Sequence, residues 1–187
     1  QKRELRKKYG FSEDDYLILF IGWNFERKGL KYLIESIKAI PKAQVIVVGR
    51  GDQRAYNQIA LNHGVSGRIR FFGAQKNGAD FYRMSDFFVL PTLYDPFSNV
   101  TLEAMSYGLP VITTPDNGAA EIIEERKAGF VVMPDKLQGN ILLLRNKDLY
   151  PAYVNDARQT AGKYTVNKVV DATVDVYALL AWEVYWL

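Results

Sequence analysis

The chain has 187 residues, of which 48% are apolar, and a formal net charge of +3. This length and composition suit one domain with a substantial core. So small a net charge gives no reason to expect nucleic acid or another polyanion as a partner. Without cysteine the chain forms no disulfides, which suits a cytoplasmic protein, and no run approaches the ~18 apolar residues of a membrane-spanning helix.

Short apolar runs alternate with helical patterns along most of the chain. The runs are continuous, which is typical of parallel strands buried on both faces. Strands are predicted at 16–21, 45–49, 69–72, 87–90, 111–114 and 129–132. Helices are predicted at 28–39, 53–63, 80–84, 100–107, 118–125, 136–144, 149–164 and 166–187. The alternation predicts an α/β fold, a Rossmann-like doubly wound parallel sheet of about six strands with helices on both faces.

The most informative stretch is DPFSNVTLEAMSYGLP, which follows the fourth predicted strand. Ser98 and Asn99 are good helix N-caps, and a glycine followed by a proline ends the helix in the usual order. Because loops at the carboxyl ends of parallel strands line the ligand crevice of an open sheet, we expect residues 95–99 in that crevice. The free N–H groups of the helix start favour an anionic ligand such as a diphosphate.

This stretch resembles the donor site of the retaining GT-B glycosyltransferases of family four, whose signature is an acid, seven residues and then a glutamate. Asp95 and Glu103 match that spacing, with aspartate where the family more often has glutamate. Other segments follow in the family's order: FIGWNFERKGLKYLIESI, VIVVGRGD, RIRFFGAQ, DFFVLPTLYDPF, GLPVITT and GAAEII. The NFERKG turn is most similar to the branch of lipopolysaccharide core α-glucosyltransferases that act on heptose.

The resemblance implies that residues 1–187 form a single nucleotide-sugar-binding domain of a two-lobed enzyme whose N-terminal acceptor lobe is absent. Residues 1–15 would then be an interlobe segment and residues 148–187 C-terminal helices. The implied reaction moves a hexose from a nucleotide sugar, with UDP-glucose expected, to an acceptor hydroxyl on a glycan or glycolipid such as lipopolysaccharide core, with retention of configuration. The lobe alone is expected to be inactive, and the family works without a metal or another cofactor.

Three side chains carry the chemistry that the resemblance implies. Lys28 neutralises the donor diphosphate, Glu103 accepts hydrogen bonds from the ribose hydroxyls, and Asp95 binds hydroxyls of the donor sugar. Each also has a structural alternative: a solvated surface lysine, an exposed glutamate near a helix start, and a turn aspartate before a proline. Trp23 stands where many relatives carry an arginine that binds phosphate, although the lipopolysaccharide branch also lacks that arginine, and this phosphate contact is not assigned to Arg27.

Other positions are implied to contribute mainly backbone. The donor-binding positions of this kind are Gly22, Gly51, Ala74, Phe97, Ser98, Asn99 and Val100. The last four are expected to offer N–H groups to sugar and phosphate, while their side chains pack in the loop or cap the helix. Gly22 would form the turn after the first strand, Gly51 would shape the nucleotide pocket, and Ala74 would run past the base.

Two other classes of function stay open. A non-catalytic nucleotide or nucleotide-sugar binding module would keep Lys28 and Glu103 without turnover. A dinucleotide-dependent oxidoreductase would need a third glycine soon after Gly49 and Gly51, where the sequence has none. His63, the only histidine, lacks partners for a metal site or catalytic dyad and is expected to end a helix.

The two ends of the chain carry distinctive composition. The opening QKRELRKK has five basic residues in eight. A solvated helix that joins the two lobes is the favoured interpretation, and peripheral association with an anionic membrane surface is the alternative. The last helix ends in aromatic residues, which either pack on the sheet or expose apolar surface that would meet the absent lobe.

Overall fold

The computed structural model describes residues 1–165, 167, 168, 170, 171 and 174, with only the backbone described at 125 and 126. Its strands are β1 (Tyr16–Trp23), β2 (Ala43–Arg50), β3 (Ile69–Phe71), β4 (Phe87–Leu90), β5 (Val111–Thr113) and β6 (Gly129–Val131). Its helices are α1 (Lys2–Lys8), α2 (Leu30–Ser36), α3 (Gln53–Asn62), α4 (Ala79–Met84), α5 (Asn99–Ser106), α6 (Ala120–Arg126), α7 (Leu137–Leu144) and α8 (Tyr150–Ala161). Short 3₁₀ turns cover Ile37–Ala39, Ser66–Arg68 and Pro134–Lys136.

The six strands form one parallel sheet in the order β3-β2-β1-β4-β5-β6. This is the doubly wound order of Rossmann-like folds, and it confirms the predicted fold class. All four residues of β4 are buried, as are the central residues of β1, because helices cover both faces. The strand order reverses between β1 and β4, so the chain leaves these two strands in opposite directions and opens a crevice at their carboxyl ends.

Two glycines let the backbone pack closely at this end of the sheet. Gly29 has φ +73°, and a Cβ there would lie 1.9 Å from the carbonyl oxygen of Pro91. Gly49 has φ +130°, and a Cβ there would lie 1.9 Å from the carbonyl oxygen of Gly22. Since no larger residue fits, the loops after β1, β2 and β4 are drawn together around the crevice.

The predicted turn at Gly22 is wrong. β1 runs two residues further than expected, and Gly22 pairs with Gly49 in the parallel ladder. The longer strand is possible because Gly49 lacks a side chain, since a Cβ there would collide with the Gly22 carbonyl. The turn instead begins at Asn24, which adopts a positive φ of 60°. β1 therefore extends to Trp23 at the edge of the crevice, and the chain turns only after it.

The basic helix α1 is held to the opposite, amino-terminal end of the sheet. Arg6 is 5% exposed, and its guanidinium lies 2.7 Å from the Asp86 carboxylate and donates to the Met84 carbonyl at 3.0 Å. Lys2 also reaches Asp86, at 2.7 Å, and Lys8 reaches Asp80 at 3.1 Å. Much of the basic character of the opening segment is thus paired with acids of this lobe.

The predicted helix at 149–164 is confirmed as α8, which packs against α5. The helix predicted at 166–187, with its aromatic end, lies for the most part outside the described residues. Among the residues that the structure describes, no helix is long and apolar enough to cross a membrane.

Arg6→Met should lower the free energy of unfolding by about 2–4 kcal/mol, because it removes a buried guanidinium and leaves the largely buried Asp86 with fewer donors. Urea denaturation followed by circular dichroism measures the change. Arg3→Met is the matched control on the same helix: its ion pair with Glu13 is mostly exposed, and its effect should stay below about 0.5 kcal/mol. Equal midpoints for the two variants would contradict the assignment of Arg6 as the anchor of α1.

Candidate functional site

The crevice between β1 and β4 is bounded by two loops that are bonded to each other. The backbone N–H of Leu93 donates to the carbonyl of Arg27 at 2.8 Å, and the Thr92 hydroxyl lies 3.0 Å from the same oxygen. In return, the Arg27 guanidinium donates to the Tyr94 carbonyl at 2.9 Å. Arg27 therefore joins the loop after β1 to the loop after β4. Its guanidinium is thus used within the fold.

The two loops bring Lys28 and Asp95 together as an ion pair. The ammonium of Lys28 contacts Oδ2 of Asp95, and the two side chains are 11% and 9% exposed. The stem of Lys28 runs over Gly22, where a Cβ would lie 2.9 Å from the Lys28 Cγ. Sequence reasoning placed both residues in the crevice as separate contacts. Their pairing depends on two loops 67 residues apart, so local spacing gives no signal for it.

The backbone of Asp95 is fixed by the loop after β5. The N–H of Asp95 donates to the carbonyl of Asp116, and the N–H of Gly118 donates to the carbonyl of Asp95, both at 2.9 Å. A Cβ at Gly118 would lie 1.8 Å from the carbonyl oxygen of Pro96, so only glycine allows this approach. Three loops thus hold the Asp95 carboxylate in place. Since an ammonium has three N–H donors, Lys28 keeps donors beyond the one that it gives to Asp95.

Helix α5 begins beside this ion pair, and its start is not capped by a side chain. Ser98 has the extended backbone of an N-cap residue, but its hydroxyl makes no cap hydrogen bond. The predicted capping role of the Ser98 side chain is therefore wrong. Its oxygen is buried without a partner among the described residues, as is the hydroxyl of Thr101. The first N–H groups of the helix, at Asn99 and Val100, precede the first turn of intrahelical bonds, and no described residue accepts from them, so they can bind an anion.

Glu103 lies on the second turn of α5 and is exposed. Its Oε2 accepts a hydrogen bond of 2.8 Å from the hydroxyl of Tyr82 on α4. Burial raises the pKa of Tyr82 well above the ordinary tyrosine value, and the bond to the Glu103 carboxylate raises it further. Tyr82 thus remains a donor at neutral pH. Sequence reasoning missed Tyr82 because its partner lies on another helix, 21 residues away.

The remaining predicted positions surround the same end of the sheet. Gly51 follows β2, and a Cβ there would lie 2.3 Å from the ring of Phe25, so the glycine lets this ring pack under the loop. Ala74 is exposed in the loop after β3, next to Gly73, whose carbonyl accepts from the N–H of Gly49 at 2.8 Å. Phe97 is 39% exposed at the crevice rim.

Within the part of the chain that the structure describes, no three histidine, cysteine or acidic side chains are grouped so as to hold a metal ion. His63 follows α3 as its C-cap, as predicted, and lies 3.6 Å from Glu35. The expectation of a reaction without a metal or another cofactor stays a prediction.

Residues 1–159 match the family of glycosyl transferases group 1. An uncharacterized glycosyltransferase of Methanocaldococcus jannaschii is 30% identical over 96% of this chain and 49% of its own length. The lipopolysaccharide glucosyltransferase WaaG of Escherichia coli is 28% identical over 91% of this chain and 48% of its own length. The chain therefore spans about half the length of these relatives.

Solved structures agree with the fold. The crystal structure of WaaG, a glycosyltransferase involved in lipopolysaccharide biosynthesis, has a TM-score of 0.85 and 27% identity, covering 94% of this chain and 50% of that one. The crystal structure of Anabaena HepE in complex with UDP-glucose has a TM-score of 0.83 and 22% identity, covering 96% of this chain and 52% of that one. At this identity the likeness to HepE bears on the fold alone.

Lys28→Met and Asp95→Asn should each lower the free energy of unfolding by about 2–4 kcal/mol, because each leaves a buried group without its charged partner. The double variant should be more stable than the sum of the single effects predicts by at least about 1 kcal/mol. Urea denaturation of the four proteins provides this cycle.

Lys31→Met is the control for this cycle, since the pair of Lys31 and Glu35 on α2 is more exposed and its atoms are 3.8 Å apart. Its effect should stay below about 0.5 kcal/mol. Strictly additive effects of Lys28→Met and Asp95→Asn would mean that the two charges do not stabilise each other.

Proposed function

The chain belongs to the glycosyl transferases group 1 family, and from this premise we propose that it is the donor-binding half of a retaining hexosyltransferase. The whole enzyme would transfer a hexose from a nucleotide sugar to an acceptor hydroxyl. The other half of the length of its relatives would supply the acceptor site.

The observation that carries this proposal is the anion-binding character of the crevice. The ammonium of Lys28 comes from the loop after β1, and the uncapped start of α5 comes from the loop after β4. The buried hydroxyl of Ser98, to which no described residue hydrogen-bonds, adds a polar group at the same helix start. Positive charge, free N–H groups and a hydroxyl suit the diphosphate of a nucleotide sugar.

The two carboxylates would bind the two sugars of the donor, its ribose and the hexose that is transferred. Glu103 is exposed and has one oxygen that no other described side chain bonds, so it can accept from the vicinal hydroxyls of the ribose. Asp95, which gives Oδ2 to Lys28, keeps Oδ1 for a hydroxyl of the donor sugar. Hydrogen bonds to a charged acceptor of this kind contribute about 1.5–3 kcal/mol each.

The reaction then follows from charge. As the bond between sugar and diphosphate breaks, negative charge grows on the leaving phosphate and positive charge grows on the sugar ring. Lys28 and the start of α5 stabilise the first of these charges, and their fixed positions mean that little reorganisation is needed. If the leaving diphosphate also takes the proton of the acceptor hydroxyl, the acceptor must lie on the face of the sugar from which the diphosphate departs. The new bond then forms on that same face, and the configuration is retained.

The finer identity of the substrates rests on relatives. Glucose transfer to lipopolysaccharide core is supported by the likeness to WaaG, a lipopolysaccharide glucosyltransferase. A glucose donor is supported by the same likeness to WaaG, and we propose UDP-glucose as that donor. An acceptor of that kind would bring the enzyme to the cytoplasmic face of a membrane, where it would associate peripherally.

Isothermal titration of the chain with UDP, UDP-glucose, ADP and GDP tests the donor site. One nucleotide should bind, and Glu103→Ala should weaken it about tenfold or more, because the carboxylate that accepts from the ribose is lost. Glu121→Ala, an exposed glutamate in the first turn of α6, is the control and should leave binding unchanged. Equal binding by wild type and Glu103→Ala would contradict the assignment of the ribose site.

Turnover is tested with the whole protein that contains this chain. We expect release of the nucleoside diphosphate when a glycan acceptor is added, with the product retaining the anomeric configuration of the donor by NMR. Donor binding without any transfer would instead favour the non-catalytic binding module.

A further inference from the structure

Tyr82 touches the Glu103 helix at two points one turn apart. Its hydroxyl donates to Oε2 of Glu103 at 2.8 Å, and its ring stacks on that of Tyr107 with centroids 5.0 Å apart and planes at 8°. Glu103 and Tyr107 are four residues apart, so they lie on one side of α5. A single side chain from α4 therefore sets both the position of this helix side and the direction of one carboxylate oxygen.

Tyr82 is itself held rigidly. It is 4% exposed, and its backbone N–H donates to the carbonyl of Gly78 at 3.3 Å, at the start of α4. Glu103, by contrast, is exposed and has a flexible side chain. Without a fixed partner its carboxylate would sample several rotamers, and ordering it on ligand binding would cost conformational entropy. The hydrogen bond from Tyr82 removes much of that freedom in advance.

The hydrogen bond from Tyr82 also leaves acceptor sites on the Glu103 carboxylate for a ligand. With Oε2 turned toward Tyr82, Oε1 of Glu103 is the oxygen that no other described side chain bonds. A carboxylate has lone pairs on both oxygens, so Oε2 can accept a second hydrogen bond while it is held. Two vicinal hydroxyls need two acceptor sites with a fixed separation, and an oriented carboxylate provides them.

We infer that Tyr82 is a positioning residue for nucleotide binding: its hydroxyl orients the Glu103 carboxylate toward the 2′ and 3′ hydroxyls of the donor's ribose. The inference rests on the proposed function and deepens it. α4 begins directly after the loop that contains Ala74, which we expect to pass the base. Tyr82 thereby connects the base side of the site with its ribose side.

Tyr82→Phe tests this inference, because it keeps the stacked ring and removes only the hydroxyl. The probes are UDP, ADP and GDP, each paired with its 2′,3′-dideoxy analogue, in isothermal titrations. For the nucleotide that binds wild type, Tyr82→Phe should weaken the ribose form about fivefold and leave the dideoxy form unchanged. In the Glu103→Ala background the same substitution should have no effect on either form.

Tyr107→Phe is the matched control, since it removes the hydroxyl of the other ring in the stack and should change neither affinity. A merely structural role of Tyr82 would weaken both forms equally, and that result would overturn the inference. The inference would also be overturned if Tyr82→Phe kept the wild-type preference for the ribose form while Glu103→Ala still weakened binding. In that case the proposed function would stand. Failure of every nucleoside diphosphate to bind wild type would instead overturn the proposed donor site and this inference with it.

Discussion

The ion pair of Lys28 and Asp95 is the interaction on which the architecture of the site depends. It forms because the strand order reverses between β1 and β4, which places the loops after these strands on the two sides of one crevice. A lysine and an aspartate 67 residues apart then meet away from solvent. Two buried charges are tolerated only when they are paired, so the site requires both loops in place.

Polar side chains behind the ion pair keep these loops in place. The hydroxyl of Thr113 donates to the carbonyl of Leu90 at 2.7 Å and accepts from the Asn117 amide at 2.9 Å, and the hydroxyl of Thr114 donates to the carbonyl of Thr92. These buried groups are satisfied within the fold, and they tie the loop after β5 to the loop after β4. The hydroxyl of Ser98, in contrast, has no hydrogen-bond partner in the part of the chain that the structure describes. The unpaired hydroxyls of Ser98 and Thr101 thus both lie in the first turn of α5, where the proposed diphosphate would bind.

The sequence predicts the sheet well because its strands are continuous apolar runs whose burial needs no long-range information. It also places Asp95 and Glu103, since an acid before a helix start and another inside that helix form a local pattern. What it misses depends on contacts between distant segments. Gly22 was expected to turn, yet it extends β1 because Gly49 faces it. The ion pair of Lys28 with Asp95 and the hydrogen bond from Tyr82 to Glu103 likewise join distant segments, so the sequence does not predict them. The sequence also predicts that the Ser98 side chain caps α5, but the folded loop does not make that bond.

Aspartate at position 95 reaches Lys28 from a backbone that the neighbouring loops hold. The family more often has the longer glutamate at this position, so a shorter side chain needs a backbone that lies closer to its partners. In this chain the backbone of Asp95 is bonded to Asp116 and Gly118, and Gly118 allows the two loops to lie this close by lacking a Cβ. In the proposed donor complex Lys28 would share its charge between Asp95 and the diphosphate. As negative charge grows on the leaving group, that share would shift toward phosphate, so Lys28 would bind the transition state more strongly than the intact donor.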